Sequence, residues 1–245
     1  VVSPASIERF GVAAHYTFQP PYGRDNQPFG PWPVNTTEQL RVLHRACGGP
    51  DAKRRCVYKT DWPGDVNASD VHVGYMHELV AAAKPLGIEV MAIIGTGGDW
   101  GGEVGEAGAK AAEEFAYSMA SAFGGISTNT GVKYWQVSGE YAVPHCGLPR
   151  IDYHQHFGME KADFNATCMR AWSAMVSAVI RGIHRAQPTA VAMPVAMGWA
   201  RLGIWQWLAD EKVPLDAVGL DWYRDGGRIN CTCKQYPPVD CGKDP

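Results

Sequence analysis

Hydrophobic residues along this chain recur with two periods, one typical of strands and one typical of helices. Short β-branched, aromatic or apolar runs predict strands, and apolar residues spaced three and four apart predict amphipathic helices. The predicted strands are 7–18, 56–62, 88–94, 132–138, 190–197 and 215–223. The predicted helices begin near 38 and then span 71–84, 109–123, 161–186 and 201–210.

Each predicted helix has one apolar face, which we expect to pack against the sheet. The expected core positions, in helix order, are Leu40, Val42 or Leu43, and Ala46; Val73, Met76, Val80 and Ala83; Phe115, Met119 and Ala122; Phe164, Cys168, Trp172, Met175, Val179 and Ile183; Ile204, Trp207 and Leu208. The run from Ile88 to Ile94 is almost wholly apolar, as expected of a strand buried on both faces. Six strand–helix alternations predict an α/β fold with a parallel sheet and right-handed crossovers.

Composition is that of an ordinary globular protein. The 245 residues are 46% hydrophobic and 19% charged, with a net charge of −3, so nothing favours nucleic acid or an anionic membrane as partner. No apolar run is long enough to span a bilayer. The glycine-rich segment 95–102 fails the dinucleotide-binding pattern because Trp100 replaces its third glycine, and we expect no cofactor. His154 and His156 resemble a metal pair but lie in a predicted loop, so no metal site is assigned.

Glycosylation sequons and cysteines indicate the compartment. Asn35, Asn67, Asn165 and Asn230 each begin an Asn-x-Ser/Thr sequon at a predicted loop or helix end. Seven cysteines without a Cys-x-x-Cys spacing agree with an oxidising environment. Val1 looks like the start of a processed chain. The sequence therefore predicts a secreted or cell-surface, extracellular glycoprotein.

Two disulfides are predicted within the strand–helix part of the chain. Cys47–Cys56 would join the end of the first helix to the second strand, and Cys146–Cys168 would join the loop after the fourth strand to the following helix.

The C-terminal tail, 224–245, contains three more cysteines and no predicted regular structure. Cys231 and Cys233 are too close in sequence to pair readily, so Cys241 pairs with one of them, and Cys233–Cys241 is the working assignment. The remaining thiol indicates a partner outside the chain. Residues 1–223 form the predicted domain that precedes this tail.

Carboxylates and aromatic rings follow several predicted strands. Glu140 is the first residue after Ser138-Gly139, where the fourth strand ends, and a carboxylate at a strand exit is where barrel enzymes place their chemistry. Aromatic rings beside carboxylates suit a sugar-binding rim, with rings under the pyranose and carboxylates for its hydroxyls. The expected substrate-binding residues are His15, Asp61, Trp62, Asp99, Trp100, Trp199, Asp221, Trp222 and Tyr223.

The stretch Tyr134-Trp135-Gln136-Val137-Ser138-Gly139-Glu140 resembles the fourth-strand signature of the retaining (β/α)8-barrel glycosidases. In that superfamily a Trp-rich strand ends in Asn-Glu, and the resemblance places Glu140 at the general acid/base position. It also implies a supporting role for Trp222 or Tyr223, after the sixth strand, and a site position for His15. The implied fold is a (β/α)8 TIM-barrel-like α/β fold, incomplete in this chain at about six β/α units.

Two departures from the superfamily pattern concern its catalytic machinery. Gly139 replaces the Asn that contacts the sugar 2-hydroxyl. The superfamily nucleophile ends strand seven, and at roughly 40 residues per unit a full barrel needs about 80 residues more. Within this chain, Asp221 or Asp61 could serve as the second carboxylate, but neither lies at the position where the superfamily has its nucleophile. The chain is then a proteolytic product of a longer enzyme, an incomplete polypeptide, or a degenerate barrel.

The sequence accordingly predicts a secreted, glycoside-hydrolase-like barrel that acts on or binds carbohydrate, with its second carboxylate outside this chain. The alternative is a catalytically inactive barrel with a structural or assembly role in an extracellular glycoprotein. A six-stranded barrel has two open sheet edges, which expose unpaired backbone groups unless something covers them. We therefore expect a second polypeptide beside the chain, either the missing barrel segment or a neighbouring subunit.

Overall fold

The computed structural model describes residues 9–14, 36–49, 55–60, 70–94, 106–123, 131–137, 146, 160–197 and 202–221. The strands are β1 (Arg9–Ala14), β2 (Arg55–Thr60), β3 (Ile88–Ile94), β4 (Val132–Val137), β5 (Val191–Met197) and β6 (Gly219–Asp221). The helices are α1 (Thr36–Ala46), α2 (Asp70–Ala83), α3 (Glu106–Phe123), α4 (Ala166–Ala186) and α5 (Leu202–Asp210), with 3-10 turns at Lys84–Leu86 and Lys161–Asp163.

The strands form one parallel sheet in the order β1-β2-β3-β4-β5-β6. Each strand therefore pairs with its successor in the chain, and an α-helix lies between the two strands of each of these five pairs, as expected of consecutive β/α units. The predicted α/β class with a parallel sheet is confirmed. Within the described residues, β1 and β6 each pair with a neighbouring strand along one edge only. The predicted domain boundary at residue 223 lies outside the described residues and stays a prediction.

The helix ends follow from local sequence. The side chain of Asn165 caps α4, where Oδ1 accepts a hydrogen bond from the Cys168 backbone N–H. The 3-10 turn after α2 ends at Gly87, whose φ of 64° lies in the left-handed region that glycine adopts without a Cβ clash. This turn leads directly into β3.

The core lies between one face of the sheet and the helices. It combines large side chains from β2, β3 and β4 with the apolar faces of the helices. The longest described helix, α4, buries Trp172, Met175, Val179 and Ile183 of the predicted stripe, and Phe164 just before it is buried too, whereas Cys168 is only partly buried. In α5 the predicted Ile204, Trp207 and Leu208 are buried as well.

The core-facing side of α3 differs from the prediction. Ala116, Ala120 and Phe123 are buried, whereas Phe115 is only partly buried and Ala122 is exposed. Helix α4 causes this rotation, because it crosses α3 at the small residues. A Cβ built on Gly182 would lie 2.9 Å from the Ala116 Cβ, so small side chains allow the close helix contact.

One position of α1 that was expected in the core, Ala46, is exposed, and of the alternatives Val42 and Leu43 it is Leu43 that is buried. Leu40 and Leu43 face the core, but the side chain of Val42 is 51% exposed and Ala46 is exposed too. Leu40 and Leu43 are three residues apart and define the buried stripe, and Val42 and Ala46 fall outside its width.

Strand β6 is shorter than predicted at its beginning. The prediction began at Leu215, but the strand begins at Gly219. Before it, the side chain of Asp216 accepts a hydrogen bond from the Ala192 N–H at 2.7 Å, and the Asp216 N–H donates to the Ala192 carbonyl at 3.3 Å. A side chain thus replaces the regular ladder of backbone hydrogen bonds at this point.

Strand β3 also differs from the expectation of two fully buried faces. Its residues alternate between buried and partly buried, starting with buried Ile88 and ending with buried Ile94. The sheet therefore has one well-covered face and one more accessible face.

Candidate functional site

The carboxyl ends of the strands lie along one edge of the sheet. Ala14 is in register with Thr60, Ile94 with Val137, and Met197 with Asp221. Because parallel strands all end at the same edge, segments that leave neighbouring strands begin next to one another. Ligand sites of α/β proteins lie at this edge.

Most of the residues predicted for the site lie outside the described part of the chain. Asp221 is the exception, as the last residue of β6. The predicted site residues outside the described ranges are His15, Asp61, Trp62, Asp99, Trp100, Glu140, Trp199, Trp222 and Tyr223. The described strands nevertheless define the edge from which His15 and Asp61 follow directly, after Ala14 and Thr60.

One face of the sheet is directed towards the helices. Trp135 on β4 donates a hydrogen bond from Nε1 to Gln187 Oε1 at 3.1 Å, and Gln187 in turn donates to the Ala120 carbonyl at 2.8 Å. Tyr58 on β2 donates to Gln39 of α1 at 2.6 Å. Side chains alternate along strands, so the residues in phase with Tyr58 and Trp135 form the helix-facing side.

The residues in the other phase form the inner face, which a barrel turns towards its axis. On β4 these are Tyr134 and Gln136, both buried, with Gln136 only 2% exposed. Gln136 is in register with Ile93 on one side and Met193 on the other, both partly buried. A buried glutamine on this face makes the inner surface polar close to the carboxyl end of β4.

A second polar group on the inner side is a cluster that the sequence reasoning missed. Glu89 accepts a hydrogen bond from the Tyr134 hydroxyl at 2.8 Å and lies 3.5 Å from Lys133 Nζ. The ladder shifts register between Val90 and Met91, which brings Lys133 and Tyr134 to this carboxylate together. The sequence feature that could have indicated this cluster is Glu89, the single charged residue within the apolar run 88–94.

The segment between β4 and α4 is anchored at its far end. Cys146 and Cys168 form a disulfide, so the predicted link between this segment and the first turn of α4 is present. The Asn165 N–H also donates to the Cys146 carbonyl at 2.8 Å, and Cys146 is only 1% exposed. A covalent bond and a backbone hydrogen bond thus fix this segment six residues after Glu140.

Helix α5 fixes the same segment from another side. Trp207 donates from Nε1 to the Lys161 carbonyl at 3.0 Å, and the Lys161 N–H donates to Gln206 at 3.1 Å. Lys161 also forms an ion pair with Asp210 and lies over the Trp207 ring, with Nζ 4.1 Å from its centroid. A Cβ on Gly203 would lie 2.4 Å from the Glu160 carbonyl oxygen, so the contact needs glycine. Residues 160–168 therefore form a rigid base for the β4–α4 connection.

Some of the predicted disulfide and glycosylation sites lie within the described residues and others lie outside them. The structure contains the predicted Cys47–Cys56 disulfide, and all four described cysteines are paired. Asn165 is exposed at the start of α4. The remaining predicted modification sites lie outside the described ranges: Cys233, Cys241, Asn35, Asn67 and Asn230. Among the described residues, no group of three His, Cys, Asp or Glu side chains is arranged to hold a metal ion. None of the described helices is long and apolar enough to cross a membrane.

Comparison with solved structures identifies the fold. The chain is similar to the β-glucosidase from Thermotoga maritima in complex with cyclophellitol, with a TM-score of 0.54 and 11% sequence identity, over 89% of this chain and 65% of that chain. A family 1 β-glucosidase structure from Thermotoga maritima matches with the same values. Its complex with deoxynojirimycin matches with a TM-score of 0.53 and 11% identity, over 90% and 66% of the two chains.

These similarities define the class of protein by fold alone, since the identity is low. The chain has a TIM-barrel-like α/β fold, with six parallel strands and five intervening α-helices in the described residues, and spans about 65% of the length of the first of these enzymes. No protein-family model matches the sequence, and no curated protein matches it.

Proposed function

We propose that this chain is a glycoside-hydrolase-like barrel that binds or hydrolyses carbohydrate at the carboxyl ends of its strands, with Glu140 as the general acid/base. The observation that most supports this proposal is which side chains of β4 face the inner side of the sheet. Tyr134 and Gln136 have their side chains on the inner face, opposite Trp135. Extended backbone continued to residue 140 would keep Glu140 in this phase, directed towards the barrel axis.

Chain length limits where Glu140 can lie. Glu140 is three positions after Val137, so its Cα lies within about 11 Å of the Val137 Cα. The exits of the neighbouring strands are at the same edge, because Val137 is in register with Ile94 and Pro194. The proposed substrate contacts follow these exits: His15, Asp61, Trp62, Asp99, Trp100, Trp199, Asp221, Trp222 and Tyr223.

The chemistry proposed for Glu140 is proton transfer to the glycosidic oxygen as the bond to the leaving group breaks. Retaining hydrolysis also needs an ionised carboxylate about 5 Å away as nucleophile. Asp61 and Asp221 are candidates within the chain, although neither occupies the position that the glycosidase resemblance implies. We propose instead that a further polypeptide segment provides the nucleophile and covers the edges of β1 and β6, since an uncovered edge pairs readily with other chains.

The proposed compartment is extracellular. The disulfides Cys47–Cys56 and Cys146–Cys168 are typical of oxidising compartments, and a thiol-reducing cytosol does not maintain such bonds.

The test compares the Glu140→Gln variant with wild type on aryl glycosides of graded leaving-group ability. We expect turnover of a poor leaving group to fall about 10²–10⁴-fold, which is the usual contribution of general acid–base catalysis. The loss in kcat/KM should be much smaller for a dinitrophenyl glycoside, because kcat/KM depends on the first step and that leaving group departs without protonation, whereas kcat also depends on Glu140 as general base in the second step. Glu211→Gln, which removes an exposed carboxylate after α5, is the matched control and should leave turnover unchanged.

Equal losses in kcat/KM for both leaving groups would contradict the acid/base assignment. Wild-type protein that binds oligosaccharide but turns over neither substrate would favour the alternative, a catalytically inactive barrel with a structural role. Intact mass and non-reducing electrophoresis of the native protein would then show whether a second polypeptide accompanies the chain.

A further inference from the structure

The first residue before α4 has a geometry that suits two roles at once. Asn165 has φ −67° and ψ 119°, and its Oδ1 accepts from the Cys168 N–H at 3.0 Å. Its backbone N–H donates to the Cys146 carbonyl at 2.8 Å, and its carbonyl accepts from the Met169 N–H at 2.9 Å. Three hydrogen bonds therefore hold this residue in one orientation.

The other side-chain atom of Asn165, Nδ2, forms no hydrogen bond with the part of the chain that the structure describes. Asn165 and Thr167 are both exposed, and Ala166 stands between them, so 165–167 is an accessible Asn-x-Thr sequon. N-glycosylation uses Nδ2 and leaves the carbonyl Oδ1 as an acceptor. The helix cap and a glycan therefore use different atoms of one amide.

We infer that Asn165 bears an N-linked glycan while its Oδ1 continues to cap α4. In the modification, Nδ2 forms a bond to the anomeric carbon of an oligosaccharide carried on a polyisoprenyl pyrophosphate. The bond from that carbon to the phosphate oxygen breaks, the pyrophosphate leaves with the electron pair, and Nδ2 loses one proton. This inference depends on passage through a secretory compartment and is independent of any catalytic activity.

The position of Asn165 gives the glycan a defined location in the fold. Asn165 follows the β4–α4 connection, so it lies at the end of the sheet where the strands terminate and the helices begin. It is also three residues from Cys168, whose disulfide to Cys146 anchors that connection. The glycan is thus attached where a disulfide and a backbone hydrogen bond join Cys146 to the start of α4.

Three variants separate the two roles of Asn165. Thr167→Ala removes the sequon and keeps the capping side chain, whereas Thr167→Ser keeps both. Asn165→Asp removes Nδ2 and keeps a good cap, because aspartate is among the preferred N-cap residues. Asn165→Ala removes both the glycan and the cap.

The experiment uses the full chain secreted from a eukaryotic host, with peptide mass mapping before and after enzymatic deglycosylation. We expect wild type and Thr167→Ser to carry a glycan on the peptide containing Asn165, and the other variants to lack it. We expect deglycosylated Asn165→Ala to melt about 2–4 °C below deglycosylated Thr167→Ala, as loss of one cap predicts for a chain of this size. Asn165→Asp should melt close to Thr167→Ala.

A secreted, folded wild type with unmodified Asn165 would overturn the glycan assignment. An Asn165→Asp variant that melts as low as Asn165→Ala would overturn the dual role, since it would show that Oδ1 alone does not maintain the cap.

Discussion

Two adjacent isoleucines on β3 show how differently the two faces of the sheet are covered. Ile94 is directed towards the helices and is 1% exposed, whereas Ile93 is directed to the inner face and is only partly buried. The helix layer covers one face with side chains from α1 to α5. In a complete barrel the inner face is packed by side chains of the strands that surround it.

This comparison teaches that the stability of the described fold comes mainly from the sheet–helix interface. The inner face instead contains polar side chains: Glu89 and Lys133 form a partly exposed ion pair, and Gln136 is buried at 2% exposure. Four tests follow, in order of decreasing expected effect.

The most direct test substitutes the two isoleucines separately. We expect Ile94→Ala to lower the free energy of unfolding by about 2–5 kcal/mol, because it leaves a cavity in a closely packed core. Ile93→Ala should cost about 1 kcal/mol, since its side chain is already partly in solvent. Urea denaturation followed by circular dichroism measures both. Equal losses would mean that the inner face is as well packed as the helix-facing side.

The second test removes the covalent anchor of the β4–α4 connection. The double variant Cys146→Ala and Cys168→Ala should lose about 3 kcal/mol of unfolding free energy on the chain-entropy model, given a separation of 22 residues. The matched variant lacking Cys47–Cys56, with a separation of 9, should lose somewhat less. Thermal and urea melts under non-reducing conditions give the ranking, and the reverse order would contradict the entropic explanation.

The third test concerns the close contact between α3 and α4. A Cβ on Gly182 would lie 2.2 Å from the Glu113 carbonyl oxygen, so Gly182→Ala forces the helices apart. We expect a loss of about 1–3 kcal/mol, as for other overpacked cores. The helix propensity of alanine opposes this loss by up to about 1 kcal/mol. Gly108→Ala, in the first turn of α3, is the control for the propensity effect, and a Gly182→Ala variant as stable as wild type would contradict the contact.

The smallest effect is expected at the solvent side of the same helix pair. Arg185 donates to both carboxylate oxygens of Glu114, at 2.9 and 2.7 Å, and this hydrogen bonding holds the pKa of Glu114 below its ordinary value. A lowered folded-state pKa adds stability above the unfolded pKa of about 4.3, and that stability is lost as the pH falls through the folded pKa.

Glu114→Gln should therefore be slightly less stable than wild type at pH 7, and the difference should shrink as the pH falls below about 5. Thermal melts at a series of pH values measure this difference. Because the pair is exposed to solvent, the effect should also decrease with added salt. A difference that grows towards acid pH would contradict the assigned direction.

The sequence alone determined the order and type of the elements. The apolar stripe of α4, with Trp172, Met175, Val179 and Ile183, predicted both the helix and its buried face, because hydrophobic spacing follows directly from helical geometry. The parallel sheet followed from strand–helix alternation. The candidate site was predicted as a set of strand exits, and all of its residues remain predictions: Asp221 is described only as the last residue of β6, and the others lie outside the described ranges.

Only the tertiary structure decided which residues meet across elements. The rotation of α3 towards Ala116 and Ala120 depends on Gly182 of α4, and the late start of β6 depends on a hydrogen bond from Ala192 to Asp216. The cluster of Glu89 with Lys133 and Tyr134 likewise depends on a register shift between two strands. Such contacts join residues far apart in sequence, and periodicity within one element contains no information about the partner that packs against it.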